Sequence, residues 1–238
     1  MKINITRRHL EVYITESAQR AFNAHKEFSF FGDVLVIVKD PLPKEINLVQ
    51  CLQQIEDMIP SHLVYGLDTL FIGQYPEFEE RSINAFYREG AIYVTNNQDD
   101  NEDFIDDIVH EIAHLVEKNY GSLIYQDQKV TREFLGKRQR LFHTLRAEGY
   151  DVQPKDFMET DYSQEFDMFL FKEVGYPTLT QLTMGLFLTP YGVTSLSEYF
   201  AESFEYFFVR DTQYVRKITP SCYTKILQYF KLPWRKLC

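Results

Sequence analysis

The sequence predicts an α+β domain: a small mixed sheet in the N-terminal part, an edge strand, a buried helix beside that strand, and a mostly helical C-terminal half. Three observations carry this. Strand-like runs rich in β-branched residues are confined to the first 96 positions. Apolar stripes of helical period dominate from position 97 onward. At the junction stands Ile108-Val109-His110-Glu111-Ile112-Ala113-His114-Leu115-Val116, an apolar helical pattern interrupted by three ionisable side chains. With 238 residues, 45% hydrophobic and 16% aromatic, the chain has material for one core. We therefore read 1–238 as a single domain, with an α/β part over 1–96 and a mainly helical part over 97–238.

Residues 1–30 give no clear pattern. Gly32–Lys39 is a β-branched run and reads as a buried strand, ended by Pro41 and Pro43. Ile46, Val49, Leu52, Ile55 and Met58 form one helical stripe. Gly66–Gly73 reads as a second strand. Ala85–Arg88 and Ala91–Thr95, divided by Glu89-Gly90, read as a hairpin. The last of these strands is expected at the sheet edge, where an extended peptide could pair with Ala91–Thr95 through its backbone.

The helix of His110 follows, opened by the acidic run Asp99, Asp100, Glu102 and Asp103, which suits a helix N-terminus. Val130–Glu148 is the next helix. Its charges (Arg132, Lys137, Arg138, Arg140, Arg146) are expected on a solvated face. Asp156–Val174 carries a dense aromatic and methionine stripe, which is expected to be core. Leu179–Leu188 precedes a loop signal at Thr189-Pro190-Tyr191-Gly192. Ser195–Arg210 is a further helix, and 211–231 gives one or two short ones before Pro233.

The formal net charge of −10, with no basic patch, disfavours nucleic acid as a partner. Cys51, Cys222 and Cys238 are few, widely spaced and without a Cys-x-x-Cys pair, which suits free thiols in a reducing compartment. Met1–Leu10 is polar, with no apolar run of a secretion signal. No run of about 18 apolar residues is present, so no membrane span is expected. Cytoplasmic location is the expectation, with export lacking a cleaved signal, for instance as an effector, as the alternative.

His110 and His114, four apart, lie one turn apart on one helical face and can hold one Zn²⁺. Glu111 sits beside the first of them, where the motif places a general base. Burying such a trio is costly unless it is paired or metal-bound. A third ligand must come from elsewhere. The positions where a third motif histidine would stand hold Glu117 and Tyr120, and His9, His25, His62 and His143 are isolated. Ser197-Glu198-Tyr199-Phe200-Ala201-Glu202-Ser203-Phe204 offers two carboxylates one turn apart in aromatic surroundings, where a cation would relieve their repulsion. We assign Glu198 as ligand and Glu202 as the acceptor for the second nitrogen of a ligand imidazole. The competing reading is that Ser195-x-x-Glu198 is a capping box. Glu202 and Glu117 are the next candidates for the ligand.

With these residues the chain resembles the gluzincins, and most closely the anthrax lethal factor-like peptidases that include the Pro-Pro endopeptidases. That family pairs His-Glu-x-x-His with a Glu-Phe-Phe-Ala-Glu-type helix, and Glu198-Tyr199-Phe200-Ala201-Glu202 matches at all but one position. It also places a tyrosine seven residues before the ligand glutamate, where Tyr191 stands. The resemblance implies a zincin-like fold and a zinc-dependent peptidase, acting as an endopeptidase on a protein or peptide. It implies Glu111 as general base and Tyr191 as oxyanion stabiliser. It covers only 110–114 and 191–202, and the stretch between His114 and Glu198 is longer than the family's. The alternative is a binding or regulatory module of the same fold with little turnover.

Overall fold

The computed structural model describes residues 27–81 and 83–231. His9, His25, Cys238 and Pro233 lie outside them, as does any reading of the polar N-terminus. A small N-terminal mixed sheet is followed by a mostly helical region, and the buried His-Glu-x-x-His helix lies between them.

The sheet has five strands in the order β1-β2-β3-β5-β4. β2 (Val34–Val38), β3 (Thr69–Ile72) and β5 (Ala91–Val94) run parallel. β1 (Glu27–Phe30) and β4 (Ala85–Arg88) close the two edges antiparallel. Val36, Leu70, Ile72, Ile92 and Val94 are fully buried, so alternate residues of the parallel strands face one core. The hairpin turn at Glu89 and Gly90 has φ of 50° and 87°. Both values are left-handed, as a tight two-residue hairpin requires. A Cβ on Gly90 would meet Asp68 Oδ2 at 2.9 Å, so glycine is demanded there on two counts.

This topology corrects one expectation. Ala91–Val94 is not at the edge: it is paired with β3 on one side and β4 on the other. Its backbone groups are already used, so no peptide can add to Ala91–Thr95. A tight turn returns the chain antiparallel, and the shorter preceding strand, β4, takes the rim.

α1 (Leu48–Met58) begins two residues later than its apolar stripe, because Asn47 caps it by accepting from the Gln50 N–H at 3.2 Å. α2 is Pro76–Arg81. α3 (Asn101–Tyr125) is capped by Asp100, whose side chain accepts from the backbone N–H of Glu102 and Asp103 at 2.7 and 3.0 Å. It buries Phe104, Ile108, Val109, Ile112, Ala113 and Val116 fully. At about 25 cal/mol per Å², each large side chain of that stripe contributes roughly 1.5–3 kcal/mol. The helix kinks at Tyr120 (φ −124°, ψ 15°), past the motif.

α4 (Lys129–Ala147) carries a second correction. Arg138 does not lie on a solvated face: it is 1% exposed. Its guanidinium sits 4.3 Å from the Phe166 ring centroid and donates to the carbonyls of Asp156 and Glu159, both at 2.6 Å. It thereby fastens the following loop onto the helix.

The aromatic stretch 156–174 is broken rather than one helix: a 3₁₀ turn (Pro154–Phe157), α5 (Gln164–Met168) and a π-turn (Phe169–Val174). Phe157 and Phe166 are core, but Met158, Tyr162 and Phe171 are 60, 51 and 51% exposed. α6 (Tyr176–Thr183) follows. α7 (Leu196–Val209) then packs along α3, and α8 (Thr212–Ile218) and α9 (Pro220–Lys225) complete the described chain. Cys51 and Cys222 are buried free thiols. Among the described residues, no helix is long and apolar enough to cross a membrane.

Candidate metal centre

α3 and α7 lie antiparallel and face each other with charged side chains. Ser197 meets His114, Glu205 meets His110, and Arg210 meets Asp106. The pairing follows from spacing: 106, 110, 114 and 117 recur on one face of α3, and 198, 202 and 205 on one face of α7. The opposite faces are apolar and bury Ile108, Ile112, Phe200 and Phe204 completely. Hydrophobic packing therefore presses two polar stripes together.

At the centre, a single carboxylate oxygen faces both histidines. Glu198 Oε2 lies 3.0 Å from His110 Nε2 and 3.6 Å from His114 Nε2. The other nitrogen of each ring is held from behind. His110 Nδ1 is 3.1 Å from Glu205 Oε2. His114 Nδ1 is 3.2 Å from Ser197 Oγ and 3.8 Å from Glu117 Oε2. Glu117 is itself fixed by Ser197 and by the Tyr125 hydroxyl at 2.5 Å. Two imidazoles with outward nitrogens tied and inward nitrogens converging on a carboxylate form the donor set and outer shell that Zn²⁺ takes.

The capping reading of Glu198 is half present. Its backbone N–H donates to Ser195 Oγ at 3.1 Å, so Ser195 does cap α7. The Glu198 carboxylate, however, turns toward the imidazoles rather than back to the helix start.

The protonation pattern shows the strain of this cluster. Burial alone would raise the Glu198 carboxyl, but hydrogen bonds and positive charge from His110 and His114 outweigh it and hold it at about 2. Burial opposes charge on His114, yet Glu117 and Glu198 lift it to about 9. His110 is likewise lifted well above its usual value by Glu198 and Glu205, against burial. A divalent cation among the same atoms would do the work of those ring protons.

Glu111, 7% exposed, points into the same space. Burial raises its carboxyl, partly offset by His114 and His110. It also accepts a hydrogen bond from the Tyr87 backbone N–H on β4. His110, Glu111 and His114 form a group able to hold or serve a metal ion. All of these line a cavity of about 680 Å³ between β4 and the α3–α7 pair. Tyr191, on a 3₁₀ turn (Tyr191–Val193), lines it too, its ring centroid 6.4 Å from that of His110. Burial, then Glu198, raises the Tyr191 hydroxyl, so it stays protonated and able to donate.

Glu202 is placed differently from its expected role. It lines the cavity, but the acceptor for His110 Nδ1 is Glu205, one turn further along α7. Glu202 accepts from Thr189, and its Oε2 has no partner. Burial, then Glu205, raises its carboxyl to about 8. Glu205, Ser197 and Glu117 were not singled out by sequence. The signal existed, since Glu198, Glu202 and Glu205 form an i, i+4, i+7 stripe, but nothing in it says which carboxylate meets the ring. His62 and His143 belong to no metal-capable group among the described residues.

The fold and this centre define a zinc-metallopeptidase-like active site. Comparison with family models, with curated proteins and with solved structures returns no match for this chain. The class therefore rests on the residues themselves.

Proposed function

We propose that the chain is a zinc-dependent peptidase that cleaves within peptide chains. The observation that carries this is the shared approach of Glu198 Oε2 to the Nε2 atoms of His110 and His114, with Glu111 beside them in the same cavity. His110, His114 and Glu198 are the residues that would hold the metal. Bound there, zinc supplies a Lewis acid that polarises the scissile carbonyl and activates a water.

The chain's own groups supply the rest. Glu111 takes the water's proton as attack begins and passes it to the leaving amine. Its raised proton affinity suits that exchange, and the Tyr87 N–H fixes its orientation. Tyr191 donates its hydroxyl proton toward the oxygen that gains charge as the carbonyl carbon becomes tetrahedral. β4 offers the backbone. Thr95 N–H donates to Asn84 O, so the alternate residues Ala85 and Tyr87 direct their backbone groups to the free edge. A peptide laid there would gain hydrogen bonds independent of its side chains.

The spacing of Tyr191, Glu198 and Glu202 supports a lethal factor-like peptidase in particular. The test is zinc analysis followed by cleavage profiling. One zinc per chain, hydrolysis of peptides by the loaded protein, and loss of hydrolysis with zinc retained in Glu111→Gln are expected. Protein that stays metal-free after zinc addition overturns the reading.

A further inference from the structure

The cavity is not symmetrical about its centre. Past His110, toward the start of α3, its wall is made of carboxylates: Asp103, Asp106 and Asp107 from α3, Glu202 and Glu205 from α7. No lysine or arginine among the described residues lines it. Some of these groups are occupied. Glu205 holds His110, Asp107 accepts from Gln98 Nε2 at 2.9 Å, and Asp106 Oδ2 pairs with Arg210. Two oxygens remain. Glu202 Oε2 and Asp106 Oδ1 are buried without a hydrogen-bond partner, in residues only 6% and 9% exposed.

Buried carboxylate oxygens without partners are costly, and they are kept where something else completes them. Arg210 is the single salt-bridge partner at this end among the described residues, against five carboxylates. The zinc proposed at the centre faces Glu198 and Glu111, so its charge is matched before these are reached.

We propose that this end of the cleft is a subsite for a cationic group of the peptide substrate, an amine or guanidinium seated between Asp106 and Glu202. The inference rests on the peptidase reading and extends it to substrate class. The cation has two sources: a lysine or arginine side chain near the scissile bond, or the free α-ammonium of a peptide N-terminus. Asp103, exposed at the rim, draws such a group in, and the buried pair receives its donors.

The test uses the zinc-loaded full chain and a peptide library in acetylated and free N-terminal forms, with cleavage read by mass spectrometry. Lysine or arginine at one position near the cut should exceed aspartate or glutamate by about tenfold or more, given that like-charge juxtaposition is strongly disfavoured. Asp106→Asn should shrink that ratio several-fold. Arg210→Gln, which removes the competing cation at a half-exposed position, should enlarge it. Cleavage restricted to free N-termini, one residue at a time, would assign the cation to the α-ammonium. A flat profile, or a preference for acidic residues, overturns the subsite.

Should wild type cleave nothing, the peptidase reading fails by itself. Anisotropy binding of the same acetylated peptides to Glu111→Gln then decides the subsite. Tighter binding of lysine peptides than of glutamine peptides, lost in Asp106→Asn, supports it, and equal affinity overturns it. A second zinc equivalent present in wild type and lost in Asp106→Asn would assign the carboxylates to a metal and also overturn it.

Discussion

The Nδ1 atom of His110 lies 3.1 Å from Glu205 Oε2, across the interface of α3 and α7. That contact fixes the ring so that Nε2 faces Glu198. Partners of this kind orient a ligand and raise its basicity. Glu205→Gln should therefore weaken zinc binding or turnover by roughly 10–100-fold. Glu202→Gln, which touches no imidazole nitrogen, should change zinc affinity much less. Competition with a chelator of known affinity measures both, and a larger loss in Glu202→Gln would reverse the roles given to the two carboxylates.

Glu198 and Ser195 can be separated in the same way. Glu198→Gln should strip most of the zinc. Ser195→Ala should leave zinc in place and lower stability by about 1 kcal/mol, the usual loss for a helix cap. Metal content and urea midpoints on the two variants give opposite patterns. Zinc content equal to wild type in Glu198→Gln would show that another group is the third ligand.

Why some of this was legible in the sequence is a matter of range. Helix periodicity is local, so the face shared by His110, Glu111 and His114 could be read from spacing alone, as could the pairing of Glu198 and Glu202 on one turn. What faces that stripe across a helix interface depends on axial offset. A slide of about 4–5 Å, the rise of one helical segment of three residues, exchanges Glu202 for Glu205 opposite His110. The sheet failed for a related reason. Hydrophobic alternation marks Ala85–Arg88 and Ala91–Val94 equally, and only pairing with β3 decides which lies inside. Arg138 was misplaced because its charge suggests solvent, while carbonyl partners that satisfy it stand on a loop with no pattern of its own.

Tyr191→Phe should keep zinc and fold. Its hydroxyl is proposed to act on charge that develops only in the transition state, so kcat should fall while KM changes little. Loss of one such donor typically costs about 10²–10³ in rate. Steady-state kinetics on a cleaved peptide check it. A raised KM with unchanged kcat would make Tyr191 a substrate-binding wall instead.

The edge strand gives a backbone test. Ala85→Pro removes an N–H that faces away from β5, so the ladder to Tyr93 and Ala91 survives, and proline is tolerated at such edge positions. Peptide affinity should fall and the thermal midpoint should hold. Unchanged KM for peptides would place the substrate elsewhere in the cavity.

Lys137 provides a pH signature away from the metal centre. Its ammonium sits 5.0 Å from the Tyr199 ring centroid and donates to the Ile218 carbonyl. Burial lowers its pKa from 10.5 to about 8, only partly offset by Glu133. Below about 8 both folded and unfolded chains carry the proton, and the folded state bears the cost of a poorly solvated charge. Between about 8 and 10.5 the unfolded chain holds a proton that the folded chain has released, so this residue adds stability as pH rises. Lys137→Met lacks that titration, while other groups titrate alike in both proteins and cancel in the comparison. Relative to Lys137→Met, wild type should therefore gain on the order of 1–3 kcal/mol between pH 7.5 and 10.5. Urea unfolding of both proteins at the two pH values measures it. A difference independent of pH would mean that Lys137 keeps its ordinary proton affinity in the fold.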